Sequence, residues 1–84
     1  MQSIRPSLQW FAARIENELC ENDHKGGWKK CTHSWLLSRL KEEVAELEEA
    51  LQKPDNQEHV ISEAADVAAF AMMIADLAGE LHGE

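Results

Sequence analysis

The sequence predicts an all-α fold, with three helices per chain that form an oligomeric helical bundle. Apolar residues recur at helical spacing in three segments, and polar breaks separate those segments. The last segment is also apolar around most of its circumference. With 84 residues the chain is long enough for one domain, which we place at residues 1–84.

The first predicted helix runs from about Pro6 to about Glu21. Proline suits an opening turn because its φ angle is already helical and it has no N–H to leave unpaired. The apolar positions of this helix are Leu8, Phe11, Ala12, Ile15 and Leu19. A polar loop with two adjacent glycines then leads to Thr32.

The second predicted helix begins near Thr32 or Ser34, because either side chain can cap a helix. Its apolar residues are spaced four, four, three and four apart: Leu36, Leu40, Val44, Leu47 and Leu51. This spacing is typical of an amphipathic helix. The helix ends before the break at Pro54-Asp55-Asn56.

The third predicted helix starts at Asp55, which with Glu58 three residues later resembles a capping box, and runs to about Leu81. Its middle, AADVAAFAMMIADLA, has only Asp66 and Asp76 as polar residues. A helix that is apolar on all sides needs other helices around it, and one short chain has too few. We therefore expect a homodimer or homotetramer with this helix in its core.

The composition of the chain predicts where in the cell the protein works and which binding partners are not expected. Two cysteines, no signal peptide and no apolar run longer than nine residues lead us to expect a cytoplasmic protein without a membrane segment. Residues 1–41 hold seven Lys/Arg and four Asp/Glu, whereas residues 42–84 hold twelve acids and only Lys53. No basic stripe exists that could neutralise a row of phosphates, so binding to nucleic acid is not expected.

Two acidic motifs carry the predicted chemistry. The second helix contains EEVAE at residues 42–46, and the third contains EAAD at residues 63–66. Because residues three apart share a helix face, each motif presents a pair of carboxylates on one side. Asp66 opens an apolar run with no basic residue nearby in sequence, where an uncompensated carboxylate would be costly. We therefore expect a bound cation to compensate it, and the all-oxygen set Glu43, Glu46, Glu63 and Asp66 suits Mg²⁺, with Mn²⁺ as the alternative.

The order EEVAEL and then SEAADV resembles the signature of the MazG-like all-α nucleoside triphosphate pyrophosphohydrolases, EExxE followed by ExxD. The resemblance covers about residues 28–77. It implies that Glu43, Glu46, Glu63 and Asp66 are metal ligands, and that Glu42 and Glu43 are the catalytic pair, with Glu42 orienting water. It also implies Mg²⁺-dependent hydrolysis of a nucleoside triphosphate to the monophosphate and pyrophosphate. A deoxynucleotide substrate and a role in cleaning the nucleotide pool are the corresponding expectations.

The resemblance also implies contacts with the base of the substrate, and two lysines lie next to one of the residues concerned. Relatives place one aromatic residue in the loop before EExxE and another one turn after the ExxD aspartate. Trp28 and Phe70 match these positions and are the candidates that hold the base, although a plain core role explains Phe70 equally well. Lys29 and Lys30 are candidates for phosphate or ribose contacts, and solvated lysines are the equal alternative. Relatives commonly carry Lys, Arg or Asn beyond ExxD to grip the phosphates. This chain departs from them, because no basic residue follows Lys53.

Three alternatives stay open. Phosphoribosyl-ATP pyrophosphohydrolase has a similar size and similar acidic motifs, but its expected upstream Ser-Tyr-Thr is absent and the chain has no tyrosine. A non-catalytic helical dimerisation module is the second alternative, and its stability would not respond to magnesium. A metal site at Cys20, His24, Cys31 and His33 is the third, but the spacings do not match those of common zinc sites.

Overall fold

The computed structural model describes residues 3–22, 26–53 and 55–82. These ranges contain three helices and no strand: α1 (Pro6–Asn22), α2 (His33–Leu51) and α3 (Gln57–His82). The predicted all-α class is confirmed, and the helix ends lie within about two residues of the predicted ones. Pro54, which was predicted to break the chain, lies outside the described residues.

Side-chain caps determine where α2 and α3 begin. Thr32 caps α2, since its hydroxyl oxygen accepts a hydrogen bond of 3.1 Å from the backbone N–H of Trp35. The predicted cap of α3, Asp55, is wrong. The side-chain oxygen of Asn56 accepts a hydrogen bond of 3.1 Å from the backbone N–H of His59 instead. Asparagine caps a helix as well as aspartate does, and Asn56 directly precedes the first helical residue.

The long helix α3 holds the other two in place. It packs against α2 and against α1, whereas the described parts of α1 and α2 do not pack against each other. A groove with a volume of about 510 Å³ therefore lies between α1 and α2, with α3 as its floor. Trp28 and Cys31, from the loop before α2, also line this groove.

The core of the single chain is small. Among the described residues, the buried apolar ones are Leu36, Ala50, Ala65, Ala69 and Leu77. The chain exposes 6448 Å², against about 5000 Å² for a compact monomer of this mass. Its radius of gyration is 14.0 Å, against about 12 Å for a compact chain of this length. Three helices alone therefore leave more surface uncovered than a self-sufficient domain does.

The uncovered surface includes large apolar side chains. Those that remain more than 40% exposed are Ile4, Leu8, Trp10, Trp35, Leu37, Val44 and Leu51. Most apolar residues of α3 stay partly exposed in the single chain. One chain therefore does not cover this helix on all sides. Within the described ranges, no helix combines the length and the apolar character that crossing a membrane requires.

Candidate functional site

Three carboxylates meet where α2 crosses α3. Glu43 comes from α2, and Glu63 and Asp66 come from one face of α3. One carboxylate oxygen from each lies within 4.8 Å of the others. Glu43 is only 6% exposed and is the one buried charged residue in the described part of the chain. We refer to Glu43, Glu63 and Asp66 as the acidic triad.

The acidic triad has oxygens that no donor satisfies. Oε2 of Glu43 and Oε2 of Glu63 are both buried and accept no hydrogen bond. Arg39 donates to the other oxygen of Glu43, Oε1, and the neighbouring carboxyl groups cannot donate to the two Oε2 atoms unless one of them holds a proton. Leaving a buried acceptor unsatisfied is costly, so these two oxygens require either a proton or a cation.

The same crowding shifts the acid–base behaviour of the triad. Burial, followed by the neighbouring Glu46, raises the pKa of Glu43 to about 7. Burial and the nearby Glu18 raise the pKa of Asp66 to about 7. The pKa of Glu63 is raised too, by burial and by Glu46. The three carboxyl groups form a cluster of negative charge whose ionisation is disfavoured. Their oxygen atoms are ligands that suit a hard divalent cation.

The two remaining predicted acids lie beside the triad. Glu46 is exposed, yet it is close enough to hydrogen-bond with the carboxyl groups of Glu43 and Glu63, whose pKa values it raises. Glu42 is turned toward Arg39 and pairs with it, and its side chain is 60% exposed. The structure thus brings three of the four predicted ligands together, places Glu46 at the rim, and puts Glu42 outside.

Glu18 is a sixth carboxylate of this region, and the sequence motifs do not predict it. It lies on α1, lines the groove and acts on Asp66 across the helix interface. Its Oε1 accepts a hydrogen bond of 3.0 Å from the hydroxyl of Ser62 on α3. No local pattern could have found Glu18, because its place depends on how α1 crosses α3.

The predicted aromatic pair lines the groove. Trp28 comes from the loop and Phe70 from α3, one turn beyond Asp66. Trp28 follows Gly26 and Gly27, whose φ angles of 96° and 73° lie in the left-handed region that glycine adopts without strain. The two glycines let the chain turn so that the indole enters the groove.

Asp76 holds this loop against α3. One carboxylate oxygen, Oδ2, accepts a hydrogen bond of 3.0 Å from the indole N–H of Trp28 and one of 2.6 Å from Nζ of Lys29. These two donors lower the pKa of Asp76. We call this set of contacts the loop latch. Of the two predicted lysines, Lys29 therefore lies on Asp76, and Lys30 is exposed to solvent.

Arg39 is the second site residue that the sequence analysis missed. It lies on α2 and lines the groove. Nη2 donates a hydrogen bond of 3.0 Å to Oε1 of Glu43, and Nη1 pairs with Glu42. A signal existed, because Trp35, Arg39 and Glu43 are spaced four apart and hence share one helix face.

The alternative metal site built on cysteine and histidine gains no support from the geometry. Cys20 is exposed and Cys31 is half-buried, and neither forms a disulfide. His24 lies outside the described residues. Within the described ranges, the acidic triad is the group of side chains close enough together to hold a metal ion.

Comparison with known proteins identifies the family. Searches of the curated proteins and of the solved structures found no match. The family model of the MazG nucleotide pyrophosphohydrolase domain matches residues 31–83, which is more than half of the chain. The match contains the whole of α2 and α3 and with them the acidic triad, whereas α1 precedes it. The chain belongs to the MazG nucleotide pyrophosphohydrolase family.

Proposed function

We propose that this protein hydrolyses a nucleoside triphosphate with one water to the nucleoside monophosphate and pyrophosphate, and that it needs Mg²⁺ to do so. One observation carries the proposal. The acidic triad has two buried carboxylate oxygens without a donor, and it adjoins a groove that two aromatic side chains line. A family that acts on nucleotide pyrophosphate bonds supplies the reaction type.

Glu43, Glu63 and Asp66 would hold the cation, with Glu46 as a further ligand at the rim. Mg²⁺ is the first candidate because it prefers carboxylate oxygens, and Mn²⁺ is the second. When bound, the ion neutralises phosphate oxygens and lowers the pKa of a coordinated water. Glu42, which Arg39 keeps next to Glu43, is the proposed group that orients the attacking water.

The groove is the proposed nucleotide site. Its volume of about 510 Å³ lies in the range of small-molecule sites, which is about 300–1,000 Å³. Trp28 and Phe70 are the proposed contacts for the base, since aromatic rings stack on any base. Lys29 and Lys30 stay secondary candidates for the phosphates, because the loop latch engages the first and the second is exposed. A deoxynucleotide is our proposed substrate class, on the family resemblance.

We further propose that two copies associate through the side of α2 that faces away from the groove. Leu37, Val44 and Leu51 are seven residues apart, so they form one stripe, and each is more than 40% exposed. Alanines on the opposite side of α3 from the groove are also partly or fully exposed: Ala64, Ala68, Ala71 and Ala75. Lys41 and Glu48 flank the stripe on either side of Val44. Antiparallel pairing of two α2 helices about Val44 would bring Lys41 close to the partner's Glu48.

Pyrophosphate release tests the reaction. We would assay canonical and modified NTPs and dNTPs with Mg²⁺ and with EDTA, using wild type, Glu43→Gln and Asp66→Asn. Each amide removes one proposed ligand charge, so both variants should fall to the level measured in EDTA. Glu49→Gln is the matched control, because it makes the same change at an exposed position of α2 that has no part in the proposed sites, and it should keep full activity.

The outcome also separates the alternatives. Phosphoribosyl-ATP is included among the substrates. If pyrophosphate is released from it alone, the protein is a phosphoribosyl-ATP pyrophosphohydrolase and not a general nucleoside triphosphate pyrophosphohydrolase. If no nucleotide is cleaved while all variants fold as well as wild type, the catalytic proposal fails and a helical assembly module remains.

A further inference from the structure

Arg39 is the sole lysine or arginine among the described residues that line the groove. The acids that share the groove with it are Glu18, Glu43 and Asp66. Such a groove repels a triphosphate everywhere except at a bound metal and at this one cationic side chain. A phosphate chain that enters the groove therefore has one protein cation within it.

The guanidinium of Arg39 lies between the two ends of the proposed substrate site. Nη2 is 3.0 Å from Oε1 of Glu43, a member of the acidic triad. On its other side, the guanidinium carbon is 5.1 Å from the centre of the Phe70 ring, a cation–π distance. In a nucleoside triphosphate bound to a metal, the phosphates likewise lie between the base and the ion. Arg39 thus occupies the position that matches the phosphates.

The side chain also has capacity for a ligand. A guanidinium has five N–H donors in a planar fork that matches phosphate oxygens. The Arg39 side chain is 36% exposed, so a solute can reach it. A cation held by Glu43 would offset the negative charge of the Glu43 carboxylate, which now attracts Arg39. The N–H groups of the Arg39 guanidinium would then be more available to an anionic ligand.

We propose that Arg39 binds the phosphate oxygens of the metal-loaded triphosphate, with Glu42 and Phe70 holding its guanidinium in position. The inference rests on the proposed function, because it assigns a residue to that same site. It supplies the phosphate-binding cation for a chain that has no basic residue after Lys53. Lysine at this position would keep the charge but lose the fork.

Calorimetric titration with Mg²⁺ present tests Arg39 without relying on turnover. The probes are inorganic tripolyphosphate and a nucleoside triphosphate whose α,β-bridge is a non-hydrolysable methylene. Arg39→Gln should raise the Kd of both probes about tenfold to a hundredfold, and Arg39→Lys should fall between it and wild type. Arg5→Gln is the matched control, because Arg5 is exposed just before α1 and does not line the groove. It should bind as wild type does.

A purely structural role for Arg39 predicts a different result. In that case both Arg39 variants would melt at a lower temperature but would bind each probe as tightly as Arg5→Gln does, and our inference would be overturned. Wild-type hydrolysis is measured in parallel. A wild type that cleaves nucleotides while the Arg39 variants keep their affinity overturns only this inference. A wild type that neither cleaves nor binds any nucleotide overturns the proposed function and this inference together.

Discussion

Asp66 has charged neighbours on every helix. Glu18 approaches it from α1, Glu43 from α2 and Glu63 from its own helix. Burial and these carboxylates raise its pKa to about 7, whereas an aspartate in an unfolded chain titrates near 3.9. In the metal-free protein, the Asp66 carboxyl therefore keeps its proton close to neutral pH.

This difference predicts how the stability of the metal-free protein depends on pH. The folded state holds a proton that the unfolded state releases above about pH 4, so the free energy of unfolding falls as the pH rises toward 7. The melting temperature in EDTA should therefore decrease from pH 5 to pH 8. Asp66→Asn should flatten this decrease, since an amide needs no proton, and should melt above wild type at pH 8.

Asp55→Asn, the same exchange at an exposed turn, is the control and should keep the wild-type slope. Mg²⁺ at about a hundred times its Kd should add about 2.7 kcal/mol to the free energy of unfolding of wild type at pH 8, which would offset part of the decrease. Equal slopes for wild type and Asp66→Asn would contradict the pKa assigned to Asp66.

For single residues, the sequence predicts which side chains share a face of one helix. It does not predict which side chains meet where two helices cross. The spacing of Glu63 and Asp66 predicts their shared face, and the structure does bring Glu43 to them. Arg39 lies four residues before Glu43 and could have been identified by the same rule. Glu18 could not, because 48 positions separate it from Asp66 and only the crossing of α1 over α3 joins them.

At the scale of elements, the loop before α2 depends on α3 for its place. The loop latch joins Trp28 and Lys29 to Asp76 across more than forty positions of sequence. In the sequence, Asp76 was only an unexplained polar residue in an apolar helix. The cap of α2 was predictable because Thr32 is adjacent to it, whereas a contact over such a separation leaves no local trace.

Removing the latch should loosen the loop and weaken nucleotide binding. Asp76→Ala leaves the indole N–H and the ammonium of Lys29 without their shared acceptor. Backbone amides of residues 26–32 should then exchange hydrogen faster, and the KM for the nucleotide should rise more than kcat falls. Asp76→Asn keeps one acceptor oxygen, so its hydrogen-exchange rates and its KM should lie between those of wild type and Asp76→Ala. Hydrogen-exchange mass spectrometry provides the measurement, with the middle of α1 as an internal reference. Unchanged exchange in the loop would mean that Asp76 does not hold it.

At the scale of the whole molecule, the exposed apolar stripe on α2 predicts self-association. Val44→Glu places a charge at the centre of the stripe, where a pairing surface would have to bury it. Sedimentation velocity should therefore show a shift from dimer toward monomer for Val44→Glu. Ala45→Glu is the control, since it adds the same charge to an exposed position one residue away on α2. A monomeric wild type, or identical profiles for the two variants, would rule out this surface.

The contacts of α1 have a consequence for ionic strength. Polar contacts with α3 help to hold α1 in place: the ion pair of Arg14 with Glu58, and the hydrogen bond of Ser62 to Glu18. Dissolved salt screens an exposed ion pair of this kind, but it screens buried groups much less. Concentrated salt should therefore loosen the α1 wall of the groove first, while the acidic triad stays assembled between α2 and α3. Capture of the nucleotide should weaken at high salt before capture of the metal does.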